Sequence, residues 1–403
     1  MSFDLLGITK GIYQRTCLAV KEKLGIPQER IMMNASHSHC TPVLANALYD
    51  VYVDMPPEQI PVIERYTATL EATIVDTTGA AFAQKKKVNL FTGSGTSRFA
   101  VNRRNNDESL SENLRQRGKL KGPVDHSVPV IAFYEVSSGN LCAVIFGYAC
   151  HNTVLNFYQW CGDYSGFAQI ALERNHPGCT SFFFMGCGAD QNPLPRRQVV
   201  LAQRYGEMLA AAVEEALLEI FADHRNPICA ILDQALEYAE LKYERSYTRE
   251  EMVEMAEVHV GDTKSYKHHY AERMLNEMAS EKPFSSSYPC PILAWHFGEK
   301  SSTSSLLWIA TGGEAVVDYS LGFKAEFGRK MIVSSYCNDV FGYIPSHRVW
   351  SEDKIPPLTF SCYEGAHSMM VYGHPATRWF EDVEFVVSRS VRNLVLKVTS
   401  SGT

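Results

Sequence analysis

Two histidines one residue apart, His37 and His39 in Ser36-His37-Ser38-His39-Cys40, hold the most chemical promise in this 403-residue chain. Strand side chains alternate with period two, so a His-x-His pair turns both imidazoles to one face. At the end of the apolar run Ile31-Met32-Met33, the pair suits a metal ligand beside an acid–base group. Other polar residues also stand where apolar runs stop. His151 follows Leu141–Cys150, Asp190 and Asn192 follow Ser181–Met185, and Glu314 follows Thr311-Gly312-Gly313. Tyr363-Glu364-Gly365-Ala366 comes last. A sheet can gather such loops from distant sequence at one edge. Two histidines and a carboxylate would bind zinc and leave a position open for water, which is the pattern of a catalytic metal. Each residue also has a plainer reading. An isolated His-x-His is as often a polar strand corner, Tyr363 and Tyr372 suit a core, and Arg103 can pair with a surface carboxylate.

The elements that must position these residues follow from periodicity. Thr9–Leu24 has helical apolar spacing through Ile12, Cys17, Val20 and Leu24, and Gly25 supplies a left-handed cap with Pro27 just beyond. Strand Ile31–Ala35 then delivers the histidines. A second helix is expected from Gln59 to Ala83 and a short strand over Arg98–Arg104, with a polar loop running to Val124. Val128–Val136 and Leu141–Cys150 predict a hairpin across Ser137-Ser138-Gly139-Asn140. Helix Gly166–Arg174, strand Ser181–Met185 and helix Val199–Phe221 complete the first half. In the second half, strands are expected over 229–243, Ile292–Phe297, Leu306–Ala310 and Met331–Ser335, and Val383–Val398 reads as strand-like. Arg249–Lys282 is charged and helical. His268, His269 and His367 read as loop or helix-surface residues. The intermixing predicts an α/β fold of layered mixed sheets and helices: one catalytic domain, 1–403, with a helical surface insertion at about 245–285.

Composition narrows the function classes. With 45% hydrophobic and 21% charged residues the chain is an ordinary globular protein. A net charge of −7 gives no electrostatic reason to expect nucleic acid, and Lys85-Lys86-Lys87 reads as a solvated helix end. No stretch is long and apolar enough for a transmembrane helix, and no signal peptide opens the chain. Eleven cysteines without C-x-x-C pairs predict buried thiols and a cytoplasmic rather than secreted setting. Met1–Gly7 reads as the end of a strand, so an earlier segment is conceivable. Oligomeric state leaves no trace in the sequence.

Taken in order, the polar words resemble the neutral (non-lysosomal) ceramidase family. Ser36-His37-Ser38-His39 stands for its T-H-T-H, followed by Asn102-Arg103 and the strand-end His151. Ala189-Asp190-Gln191-Asn192-Pro193 stands for G-D-V-S-P-N, and Gly313-Glu314 and Tyr363-Glu364-Gly365-Ala366 complete the set. The resemblance covers about residues 30–375 and implies the family's catalytic domain without its immunoglobulin-like domain. It implies zinc held by His37, His151, Glu314 and Tyr363, with His39, Arg103 and Tyr372 around a substrate carbonyl. It therefore implies a zinc-dependent amidohydrolase.

Two departures redirect the substrate. Asn192 stands at the family's catalytic serine. An amide cannot attack as a nucleophile, though its N–H₂ can donate to an oxyanion. Cys40-Thr41-Pro42-Val43 replaces the family's S-G-P-G. A polar small molecule or glycan is therefore expected in place of ceramide. Two alternatives stand beside this reading: a glycoside hydrolase using the carboxylates Asp163 and Asp190, and a non-catalytic binding module that keeps the metal.

Overall fold

The computed structural model describes residues 1–403 apart from 49, 53, 54, 223–226, 230, 263, 264, 281, 301, 303, 354–362 and 401–403. Its first half runs β1 (Ser2–Phe3), α1 (Lys10–Leu24), β2 (Asn34–Ala35), α2 (Ile60–Ala83), β3 (Val88–Thr96), β4 (Ala100–Asn102) and α3 (Ser111–Gln116). It continues through β5 (Ser127–Glu135), β6 (Leu141–Tyr148), α4 (Asp163–Asn175), β7 (Thr180–Met185), β8 (Gln191–Pro193) and α5 (Val199–Ala222). The second half opens with β9 (Leu232–Lys242), α6 (Arg249–Val258), α7 (Tyr266–Ala279), β10 (Ser287–Phe297), β11 (Leu306–Thr311) and β12 (Glu314–Ala315). It ends with α8 (Val317–Phe327), β13 (Ile332–Ser334), β14 (Tyr343–Ile344), α9 (His347–Glu352), α10 (Ser368–Val371) and α11 (Val383–Thr399).

Two four-stranded sheets form the centre, in the orders β3-β5-β6-β7 and β13-β11-β10-β9. Each is antiparallel over its longer strands and closes with one parallel pair, β6 with β7 and β11 with β13. Strand alternation buries both faces of each sheet. On β5, Val128, Val130 and Ala132 face the core shared with α4 and α5, while Ile131 and Phe133 face the opposite sheet. On β10, Leu293 and Trp295 meet them from the other side, and Ile292 and Ala294 pack toward α8 and α11. The layers are therefore helix, sheet, sheet, helix, which is the layered α/β arrangement expected.

The strand ends are stitched together at one edge of this sandwich. Gly186 and Ser334 form an antiparallel bridge just past β7 and at the end of β13. Asn34 locks the same corner: its side-chain oxygen accepts from Met185 N at 2.8 Å, and its N–H₂ donates to Ser335 O at 2.7 Å.

Several local expectations change. Val383–Val398 is helical, not strand-like. Its apolar residues Val383, Val386, Val387, Val391, Leu394, Val395 and Val398 follow a period near 3.6 and are buried on one face. The many valines favour strands only where no helical stripe competes. Only Asn34–Ala35 of the expected 31–35 strand is paired, because its partner β1 is two residues long. A short helix, α3, interrupts the expected loop before Val124. Arg249–Lys282 forms two helices, with 263, 264 and 281 outside the described residues. His367 is buried, not exposed, because α7 lies over it and the Tyr266 hydroxyl bonds its ring.

Strand β3 was unexpected because glycine is a poor strand residue. Its glycines answer to packing. A Cβ on Gly95 would lie 1.9 Å from the Ala212 carbonyl oxygen of α5. Gly95→Ala should therefore push α5 off the sheet and cost on the order of 1–3 kcal/mol. Gly166, in α4, has open space around its missing Cβ, so Gly166→Ala should be neutral or stabilising. Thermal melting of the two variants checks this, and similar shifts in both would refute the close-packing argument.

Candidate metal centre and its cleft

The chain turns sharply after β2, and this turn aims His37. His37 has φ 60°, a left-handed conformation uncommon for a residue with a side chain, and its N–H bonds Leu5 O at 3.0 Å. His151 follows β6 and is tied by its own N–H to Gln191 O. Glu314 lies on β12, whose parallel pairing with β14 sets Tyr343 beside it. Tyr336, just after β13, is left-handed too, at φ 59°. Strained backbone thus collects where functional side chains meet.

His37, His151 and Glu314 are fully buried and bring one donor atom each within 4.8 Å of one another. His37 Nδ1 lies 2.7 Å from Leu6 O, and His151 Nδ1 lies 2.8 Å from Gly188 O. A carbonyl only accepts, so Nδ1 carries the proton in each ring and Nε2 presents a lone pair. Both Nε2 atoms sit 3.4 Å from Glu314 Oε2. No proton lies on those lines, so three electron-rich atoms face one point. Ligands bound tetrahedrally at the usual zinc distances would be about 3.3 Å apart, so the spacing fits a cation. Glu314 Oε1 and Oε2 accept from the hydroxyls of Tyr372 and Tyr336 respectively.

Electrostatics agree with this donor set. Burial lowers the His37 pKa to about 4, so the ring is neutral at physiological pH. Burial and the Arg103 charge lower His151 likewise. Burial works to raise the Glu314 pKa, and the Tyr372 hydroxyl that donates to the carboxylate works to lower it. His39 is exposed on one side, and desolvation by the protein around it and the neighbouring His37 imidazole lower its pKa. Its Nε2 is 3.3 Å from His37 Nε2.

A cleft of about 590 Å³ reaches the cluster at His151. His39, Arg103, His151, Asn192, Tyr343 and Tyr363 line it. Asn192 is held by the antiparallel pairing of β8 with β4, opposite Val101. Its Oδ1 accepts a long hydrogen bond from Arg103 at 3.5 Å, which leaves the N–H₂ free to point elsewhere. Arg103 is fixed by Glu364 at 2.8 Å and by the Tyr343 hydroxyl at 3.1 Å. The Tyr363 ring stands 5.1 Å from that of Tyr343, on the cleft wall. The phenol in contact with Glu314 is that of Tyr372.

Asp163 and Asp190 are not brought together at the cleft. Asp163 accepts the backbone N–H groups of Leu155 and Tyr164 at 2.8 and 2.6 Å. Asp190 accepts from Asn102 and from Val317 N, both at 2.9 Å, capping the start of α8. Both are buried, and burial raises both pKa values, that of Asp163 to about 6. A glycosidase pair needs two carboxyls facing one bond, and these two are taken up by backbone N–H groups and, for Asp190, by the Asn102 amide and Arg348.

Tyr336, Tyr343, Arg104 and Arg197 were not singled out from sequence. Tyr336 had a usable signal, since it follows a strand end; Tyr343 had none. A second cavity of about 490 Å³ opens among Leu44, Tyr52, Tyr243 and Tyr288 and shares Tyr372 with the cluster, but none of the three donors lines it.

No family model matches the sequence, and no curated protein matches it. Solved structures do. A structure described as a ceramidase complexed with C2 aligns with 100% of this chain and 68% of its own, at a TM-score of 0.65 and 14% identity. The neutral ceramidase of Pseudomonas aeruginosa aligns with 99% of this chain and 65% of its own, at a TM-score of 0.64 and 15% identity. The chain thus spans about two thirds of their length, and its fold is neutral-ceramidase-like.

The donor geometry predicts one tightly bound divalent cation. Zinc titrated into metal-stripped protein should saturate at one equivalent, and His151→Ala should abolish tight binding. Tyr372→Phe should weaken binding by about 10–100-fold, the usual effect of removing a group that holds a ligand. Absence of saturable binding in the wild-type protein would refute the site.

Proposed function

We propose, on the premise of a neutral-ceramidase-like fold, that this protein is a zinc-dependent hydrolase that cleaves an amide-type bond in a polar substrate. The observation that carries this reading is the convergence of His37, His151 and Glu314 on one point, with His151 also lining the cleft. Zinc bound there supplies Lewis acidity, polarising a carbonyl and acidifying water. The chain's own groups provide the rest. Arg103, held by Glu364 and Tyr343, presents a fixed positive charge to the oxygen on which negative charge develops. The Asn192 N–H₂ is a second donor to that oxygen. His39, neutral at physiological pH, can take a proton from the attacking group and pass it to the leaving amine.

The polar cleft argues against a lipid. Four arginines and two glutamates line it, where a long acyl chain would require continuous apolar surface. Long-chain ceramide should therefore be turned over far more slowly than the order of 1 per second typical of a good substrate. Amine release from ceramide and from short polar N-acyl compounds checks this, and brisk ceramide turnover would overturn the substrate assignment.

The Asn192 role separates by charge. Removing one oxyanion donor costs about 10²–10³ in turnover, so Asn192→Ala should be slow but measurable on a working substrate. Asn192→Asp should be slower still, because a carboxylate repels the developing negative charge. Zinc content and melting temperature should hardly move in the Ala variant. Equal rates in all three proteins would remove Asn192 from the mechanism.

A further inference from the structure

Four arginines line the cleft, and three are neutralised within the protein. Arg103 bonds Glu364 at 2.8 Å. Arg104 bonds Glu364 and Asp353, both at 2.6 Å. Arg196 grips Glu108 with two parallel hydrogen bonds of 2.7 and 2.6 Å. Among the described residues, the Arg197 side chain has no carboxylate within ion-pair distance and no hydrogen-bond partner.

Arg197 is exposed to solvent on the cleft wall, and its backbone sets it apart from an ordinary surface arginine. Arg197 has φ 82°, in the left-handed region where side chains are disfavoured. Its N–H is pinned to Val154 O at 2.6 Å. A glycine would relieve that conformation, so the strained backbone is kept with a charge mounted on it. The charge is also poorly placed for stability. Partial burial and the adjacent Arg196 both lower its pKa, and it acts on His39 across the cleft. The carboxylates of Glu108 and Asp163 act on Arg197 only from beyond ion-pair distance, so the fold keeps a cation without a direct partner beside another cation on the wall of the cleft.

Charge counting selects the ligand. One guanidinium fork offers two parallel N–H donors, which match one carboxylate. With the other three arginines already paired, one guanidinium supplies one positive charge, which a single carboxylate balances better than a doubly charged group such as a phosphate monoester. We infer that Arg197, the single unpaired arginine of the cleft, binds a carboxylate of the substrate, which makes the substrate class an N-acyl amino acid or a similar amide with a free acid group. The inference rests on the hydrolase reading only for the bond that is cut; the carboxylate subsite stands on the cleft itself.

The test uses zinc-loaded protein and matched probes: a panel of N-acetyl amino acids and their C-terminal amides, which differ in one negative charge. Binding is measured by calorimetry and turnover by amine release. The wild-type protein should bind at least one acid on the order of tenfold or more tightly than its amide, the usual worth of a charge-assisted hydrogen bond. Arg197→Gln should bring that ratio close to one, and Arg197→Lys should restore part of it. The zinc stoichiometry of each variant checks that it is folded. An acid-to-amide ratio near one in the wild type, no saturable binding of any acid, or a ratio unchanged in Arg197→Gln would overturn the inference. Inorganic phosphate displacing the bound acid more effectively than acetate would overturn the choice of a monoanion. Binding that follows Arg197 without turnover of any probe would refute the hydrolase reading and leave the subsite intact.

Discussion

A carboxylate with 1% of its surface exposed is the constraint on which the site depends. Taking Glu314 out of water costs several kcal/mol unless its charge is met. The fold meets it in part with two tyrosine hydroxyls, while two imidazoles turn lone pairs, not protons, toward the carboxylate. That arrangement is poor for an ion pair and suitable for a cation. The five residues concerned, His37, His151, Glu314, Tyr336 and Tyr372, come from five separate segments. Their convergence requires the two sheets to be fixed against each other to within a fraction of an ångström.

The rigidity comes from buried polar groups that bridge strand ends. Asn34 ties the end of β7 to the segment after β13. Asp190 joins the β4 corner to the start of α8. Glu364 receives Arg103 and Arg104 together, and Asp353 takes the other fork of Arg104. Each of these carboxylates and the Asn34 amide is held by specific partners, and removing one would strand the other without water to replace it. The left-handed backbones of His37 and Tyr336 show where this network imposes its geometry on the chain.

Above the cluster, the cleft trades apolar surface for charge. Asn192 carries an amide where the resembled family has its catalytic serine, and its Oδ1 accepts from Arg103 at 3.5 Å. A cleft with charged walls recognises polar ends of a substrate more readily than hydrocarbon.

The sequence alone determined the chemistry-bearing words and most of the elements that carry them. Period-two and period-3.6 patterns located α1, α2, α5, the β5–β6 hairpin and β10, because burial of one face or stripe leaves a local signature. It also placed His37, His151, Glu314, Arg103 and Asn192 at strand ends, where loops can meet. It misread Val383–Val398, since valine content spoke for strand while the buried stripe was helical, and it missed β3, whose glycines make room for α5. Tertiary structure alone decided which polar residues share a point. Tyr336 and Tyr343 entered the site through strand pairing and a turn, Tyr372 reached Glu314 while Tyr363 stayed on the wall, and Asp163 and Asp190 withdrew to cap backbone. The reason is physical: whether a carboxylate serves a metal or a helix end depends on which N–H groups lie within 3 Å of it, and contacts across hundreds of residues leave no periodicity to read.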